Sequence, residues 1–271
     1  MKIKSAALIY FSPTSTTKTI LLTISKGMGI NDVRCIDATI FNIRSSKVLD
    51  IDEDIIVIGV PVYEERIPRF LNPFLNDLNI KKKPIVLVAV YGNIGEGIAL
   101  DELKKITENS GSIVVAAASF IGEHSFSTKE FPIAEGRPDS SDLDIATNFG
   151  EKIIKKLETN KTLEKMSVQI PQGKLPLMTK FLPKNSARLF TKTPDVDMSL
   201  CNHCGLCAKL CPFSAINNET LEVDNKKCIR CFRCVKECPK KARKIILKKR
   251  FIVSNFLSIK SRKRKEPKLY L

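Results

Sequence analysis

The sequence predicts an α/β chain in which a doubly wound, five-stranded parallel sheet is followed by a small cysteine-built unit. Three observations carry this expectation. Short, apolar, β-branched runs alternate with helical patterns over residues 3–158. Such alternation gives parallel strands covered by helices on both faces, and right-handed crossovers make the sheet doubly wound. Eight of the nine cysteines are packed between Cys201 and Cys238, in two runs of identical spacing. Finally, 271 residues with 43% hydrophobic content suffice for one medium domain with a real core and a second, smaller one.

In chain order, strands are expected at 3–11, 33–37, 54–63, 84–91 and 112–120. Helices are expected at 15–29, more weakly at 40–49, then at 68–79, 96–110 and 140–158. The last opens on Ser140-Ser141-Asp142. Ligands of such folds bind outside the carboxyl ends of the strands, which selects the loops 12–17, 61–68, 91–97 and 121–127. The first of these, Ser12-Pro13-Thr14-Ser15-Thr16-Thr17, places five hydroxyls in six residues between a strand and a helix. Helix N-terminal amides together with hydroxyls suit a phosphate; an ordinary N-cap needs fewer. Gly92-Asn-Ile-Gly95-Glu-Gly97 has the wrong order and place for a dinucleotide fingerprint, so no NAD(P) site is expected.

The cysteine runs read Cys201-x2-Cys204-x2-Cys207-x3-Cys211-Pro212 and Cys228-x2-Cys231-x2-Cys234-x3-Cys238-Pro239. This is a 4Fe–4S ligand spacing: three closely spaced thiolates take one cubane, and the fourth, before proline, turns to another. Three other uses of eight cysteines compete. A disulfide framework sits poorly beside a large cysteine-poor domain. Zinc knuckles pair two C-x2-C units across a long gap, without the third and fourth cysteines seen here. One cluster plus spare thiols would leave a complete run unused. The stretch resembles the two-cluster bacterial ferredoxins, an α+β fold of about fifty residues. That resemblance implies Cys201, Cys204, Cys207 and Cys238 around cluster I, and Cys228, Cys231, Cys234 and Cys211 around cluster II.

The first domain resembles the flavodoxins. Ser12 to Thr17 matches their Ser/Thr-x-Thr-Gly-x-Thr phosphate loop, with Ser15 in place of glycine. Pro61-Val62-Tyr63-Glu64-Glu65-Arg66-Ile67-Pro68 looks like the loop along one side of the flavin ring; relatives often carry two glycines at Glu64 and Glu65. Tyr91-Gly92-Asn93-Ile94-Gly95 looks like the loop on the other side. Phe120 to Ser125 and Gly136 to Asp139 are similar to a family that fuses a flavodoxin-like domain to a two-cluster ferredoxin. The resemblance implies FMN, with Ser12, Thr14, Ser15, Thr16 and Thr17 on its phosphate. Pro61, Val62, Tyr63, Tyr91, Gly92, Asn93 and Gly95 would lie along its ring, the tyrosines stacking on it. The implied function is electron transfer between FMN and two 4Fe–4S clusters, which needs no catalytic acid, base or nucleophile. The alternatives are a flavin-dependent reductase of a small acceptor, and a flavin-free iron–sulfur sensor or docking module.

These readings divide the chain into 1–158 (flavodoxin-like), 159–197 (a packed linker), 198–242 (ferredoxin-like) and 243–271 (a basic tail). Leu175, Leu177, Phe181, Leu182 and Phe190 are the expected linker anchors. Net charge is +16, and residues 240–271 alone hold 13 Lys/Arg against Glu266. The expected partners are therefore redox proteins of acidic character, with an anionic membrane surface as a second use of the tail. No base-reading motif supports nucleic acid. No apolar run of about 20 residues is present to span a bilayer. The start reads as a first strand rather than a leader, which implies the cytoplasm of an anaerobic or low-oxygen host. His203 is expected at the surface, Cys35 in the core, and His124 at the flavin or the domain junction.

Overall fold

The computed structural model describes residues 2–45, 49–80, 82–160, 162–177, 183, 185–248, 255, 257, 259 and 261–271. Five parallel strands form the frame: β1 (Ser5–Tyr10), β2 (Asp32–Asp37), β3 (Ile55–Pro61), β4 (Pro84–Tyr91) and β5 (Ile113–Ile121). In space they run 2-1-3-4-5, one of the two common doubly wound orders. Registers are continuous, with Ala6 beside Ile55 and Ile56 beside Ile85, apart from one irregularity at Ile85/Val86. β3, β4 and, apart from Ser119, β5 are apolar and almost wholly buried because both faces are covered. One face holds Ile9, Ile58, Leu87 and Leu103; the other holds Leu8, Ile20, Val88 and Phe149.

Of the helices, α1 (Thr16–Gly27), α4 (Ala99–Asn109) and α5 (Ser140–Thr159) match the sequence pattern closely. The 40–49 and 68–79 patterns shrink to α2 (Phe41–Arg44) and to a 3₁₀ turn, Arg69–Leu71, leading into α3 (Asn72–Asn76). α5 begins with a reciprocal cap: Asp139 accepts from the Asp142 amide, and the Asp142 carboxylate accepts from the Asp139 amide. α1 and α5 approach so closely that a Cβ on Gly27 would lie 2.1 Å from the Thr147 carbonyl oxygen, and one on Gly150 2.2 Å from that of Ile24.

Cys35 corrects one expectation: it is exposed, not in the core. β2 is the sheet edge, and only Ile36 of its six residues is fully buried. The linker also differs. Leu177 is 71% exposed, and Phe181 and Leu182 lie outside the described residues. The packing falls to Met166 and Val168, both nearly inaccessible, with the Val168 amide donating to the Val114 carbonyl at 2.9 Å.

A sixth strand, β6 (Lys268–Tyr270), adds antiparallel to β5, with Lys268 opposite Ser119. The chain thus leaves the α/β domain after α5, builds the cysteine unit, and returns to the sheet. The cysteine unit is inserted rather than appended. Much of the basic tail between residues 249 and 260 lies outside the described residues, although Leu257 is buried beside Phe126 and Phe232.

Candidate functional site: two thiol cavities against the carboxyl end of the sheet

The two cysteine runs are structural copies 27 residues apart. Left-handed backbone recurs at equivalent positions: His203 and Arg230, Gly205 and Phe232, Ser214 and Lys241. Beyond α6 (Ala187–Phe190), a short helix carries the third cysteine of each run: α7 (Leu206–Lys209) holds Cys207 and α8 (Arg233–Lys236) holds Cys234. After each Cys-Pro an amide four residues on donates to the cysteine sulfur: Ala215 N to Cys211 Sγ and Ala242 N to Cys238 Sγ, both 3.3 Å. These N–H···S bonds suit sulfur that carries negative charge.

A small cavity lies within each of two sets of four cysteines. Cys201, Cys204, Cys207 and Cys238 line one; Cys211, Cys228, Cys231 and Cys234 line the other. Each set draws three sulfurs from one run and one from its copy. The rest of each wall is mainly apolar: Val196, Leu206 and Leu221 in the first, Phe213, Ile216, Ile229 and Phe232 in the second. Among the described residues, no three Cys, His, Asp or Glu side chains converge to hold a single metal ion. Four sulfurs spread around a dry cavity fit a cubane.

The cavities differ in surroundings. In the second, burial pushes the Cys231 thiol up to about 12, and Cys234 further still. In the first, burial also raises Cys238, but the amides of Ala242, Arg243, Lys240 and Lys241 outweigh it and hold the thiol below its ordinary value. Cys204 is the one exposed cysteine of the eight, and His203 beside it is exposed.

The second cavity is backed by the α/β domain. Phe213 and Ile229 pack against the core on one sheet face. Phe213 meets Phe70 edge-on at 4.9 Å, and Phe70 meets Phe11 at 5.1 Å. Arg44 of α2 donates to the Pro212 carbonyl at 2.8 Å, and its guanidinium lies 4.6 Å from the Phe213 ring centroid. Phe232 inserts on the other side against Phe126 at 5.5 Å, and Phe126 meets His124 at 4.9 Å. Lys236 donates to Glu123 at 2.5 Å and to the Ser127 carbonyl at 2.8 Å. The Ser186 amide donates to Glu64. Burial, then the Cys231 sulfur, raises the Tyr63 hydroxyl well above its ordinary value.

His124 is at this junction. It accepts from the Phe126 amide through Nδ1 at 3.0 Å, and its ring fills the space a side chain at Gly92 would need. Burial, then Lys236, lowers it to about 4, so it is neutral near pH 7.

The loops 12–17, 61–68 and 91–97 lie side by side at the carboxyl ends of β1, β3 and β4. Ser12 donates its amide to Thr39 Oγ1 at 2.8 Å and accepts the Lys18 amide on Oγ at 3.1 Å. Ser15 is left-handed at φ 65, the conformation that glycine takes more cheaply. The Thr17 hydroxyl is buried without a partner at the start of α1. Thr14 and Thr16 complete a donor set suited to a phosphate. Glu64 and Glu65, at φ 57 and 60, are also left-handed, a conformation that glycine takes more cheaply. Pro61 ends β3; the Val62 amide donates to the Val90 carbonyl at 2.8 Å, and Glu65 O accepts from the Ile98 amide at 2.8 Å. Gly97 has no room for a Cβ, which would come 1.9 Å from Glu65 O, and Gly95 faces the Glu65 side chain.

On the ring side, the tail takes two of the residues that the resemblance implies. The Asn93 side chain is buried, donating to the carbonyls of Ser261 (2.8 Å) and Lys263 (3.0 Å) and accepting the Lys265 amide. Tyr91 is buried, with Lys265 Nζ 5.9 Å from its ring centroid. Arg264 pairs with Asp139 at 2.7 Å, and Lys268 with Glu96. Three of the tail's cations, Arg264, Lys265 and Lys268, thus engage the α/β domain. Sequence reasoning missed Arg44, Phe126, Phe232 and Lys236. Phe232 alone carried a signal, since it stands where the first run has Gly205.

Residues 193–239 match the family model of the 4Fe-4S dicluster domain. No curated protein matches the chain. Among solved structures, an archaeal flavodoxin is 18% identical, covering 57% of this chain and 99% of its own, with a TM-score of 0.41. The two-electron reduced flavodoxin of Megasphaera elsdenii is 25% identical, covering 55% and 98%, with a TM-score of 0.39. The rubredoxin oxygen:oxidoreductase of Desulfovibrio gigas is 13% identical, covering 57% and 36%, with a TM-score of 0.40. Independently of these likenesses, the strand order 2-1-3-4-5 is flavodoxin-like.

Proposed function

We propose that this chain, a flavodoxin-like domain joined to a ferredoxin-type 4Fe–4S unit, passes electrons between a bound FMN and two 4Fe–4S clusters. The observation that carries the reading is the second thiol cavity, two of whose wall residues, Phe213 and Ile229, pack against the α/β core, and whose Cys231 lies close enough to Tyr63 to raise its hydroxyl. FMN, when bound, supplies exchange between two-electron and one-electron chemistry. The protein supplies the rest. Ser12, Thr14, Ser15, Thr16 and Thr17 with the α1 amides hold the phosphate. The loops 61–68 and 91–97 position the ring, and the Arg66–Glu102 pair pins the first of them. Phe126, Phe213 and Phe232 pack the junction between the two units. Cys201, Cys204, Cys207 and Cys238 hold one cluster, and Cys211, Cys228, Cys231 and Cys234 the other. An acidic redox protein is the expected external partner, and the cytoplasm the expected compartment.

A second reading, a flavin-free iron–sulfur module, draws support from the tail's capture of Asn93. Anaerobic purification and reconstitution, with iron, sulfide and FMN assayed on one sample, separates the two. About eight irons and one FMN per chain are expected. Eight irons without FMN, even after FMN is added, favours the module; zinc in place of iron defeats both.

A further inference from the structure

The two thiol cavities are copies in sequence but not in setting. Among the described residues, the partners that cross to the α/β domain cluster around the second: Pro212 to Arg44, Phe213 to Phe70, Phe232 to Phe126, Lys236 to Glu123. Around the first, Cys204 and His203 are exposed, and so are Met198 and Leu200, at 52% and 49%. Electron transfer falls off steeply with distance, so this asymmetry gives the centres an order.

We propose that the Cys211/Cys228/Cys231/Cys234 cluster is the inner relay to the α/β domain, that the Cys201/Cys204/Cys207/Cys238 cluster is the outer port, and that Arg44 makes the inner one easier to reduce. The proposal rests on the two-cluster reading above. The external reagent is a one-electron carrier protein. It gives one electron to the outer cluster. The outer cluster is reoxidised as the inner one is reduced, and two such passages supply the two electrons of a flavin; the reverse flow uses the same order. No proton or bond moves in the cluster steps.

Arg44 is suited to its part. Its guanidinium donates to the carbonyl of the residue after Cys211 and to those of Ala38 and Thr39. It is enclosed by Phe11, Phe41, Phe70 and Phe213 at 4.6–5.8 Å. No ion pair of Arg44 with an acid is present among the described residues. A cation fixed among rings stabilises added negative charge, and so favours the reduced inner cluster. Thr39, which Arg44 holds, accepts the Ser12 amide, so one side chain joins the phosphate loop to the inner cluster. Lys240 lines the outer cavity and is the matching probe there.

The test is an anaerobic redox titration followed by EPR on the reconstituted full chain, as wild type, Arg44→Met, Arg44→Lys and Lys240→Met. Arg44→Met is expected to disfavour reduction of one cluster by about tenfold, 59 mV for one electron, with Arg44→Lys largely restoring it. Lys240→Met should shift the other signal. A soluble dysprosium chelate should speed relaxation of the Lys240-sensitive signal first. Equal shifts of both signals, or none, in Arg44→Met would overturn the role of Arg44. Earlier relaxation of the Arg44-sensitive signal would overturn the order. Should Arg44→Met fail to fold, Lys240→Met still assigns the outer signal, and the inner by elimination, and the chelate result on wild type still decides the order. These readouts do not need FMN, so absence of flavin fails the FMN reading alone. Four irons instead of eight fails the two-cluster reading instead.

Discussion

Ser15 shows how one residue can be in tension with its neighbours. Its φ of 65 costs a β-carbon-bearing residue about 1–2 kcal/mol. Glycine would remove that cost but loosen the unfolded chain. Ser15→Gly is therefore expected to raise stability by about 0.5–1 kcal/mol while keeping FMN, read as a higher urea midpoint with unchanged slope. Phe232 pays the same kind of penalty, and burial of its ring against Phe126 offsets it. His124 makes a pH prediction. Its folded pKa of about 4 lies below the unfolded value near 6.5. Between these limits the unfolded chain binds more protons, so stability falls as pH drops through that window and is flat above it. His124→Gln should flatten that fall, checked by urea unfolding of both proteins at pH 7.5 and 5.5; equal slopes would sink the assignment.

At the scale of elements, α1 and α5 touch through Gly27 and Gly150. Because a Cβ at Gly150 meets backbone rather than a movable side chain, Gly150→Ala must push the helices apart. A loss of about 1–3 kcal/mol is expected in thermal or urea unfolding. The same helix carries the Asp139 cap that Arg264 of the tail engages. Its N-terminus is thus secured by a residue 125 positions away in sequence.

At the scale of the molecule, β6 turns a two-module chain into a closed one. The cysteine unit is held by two connections and by the junction around Phe213 and Phe232. Closing both ends keeps its effective concentration at the loops 61–68 and 91–97 high. Removing residues 267–271 is expected to expose the edge of β5 and free one connection. Hydrogen exchange should then quicken at Ala117–Ser119 while β1 keeps its protection; unchanged exchange at β5 would contradict the role of β6.

The sequence by itself determined the five parallel strands and the hydroxyl loop, because strands buried on both faces need continuous apolar runs that alternation with helices makes legible. The 27-residue copy of the cysteine spacing was equally legible, since a cubane needs three sulfurs in one tight loop. Only the tertiary structure decided the rest. Whether Cys35 is buried depends on which strand lies at the edge. β6, with three residues, is too short for a period, and its pairing with β5 exists only once the sheet is built. Arg44 and Phe232 have their meaning through partners more than 100 residues away, and separations of that kind leave no local pattern in the chain.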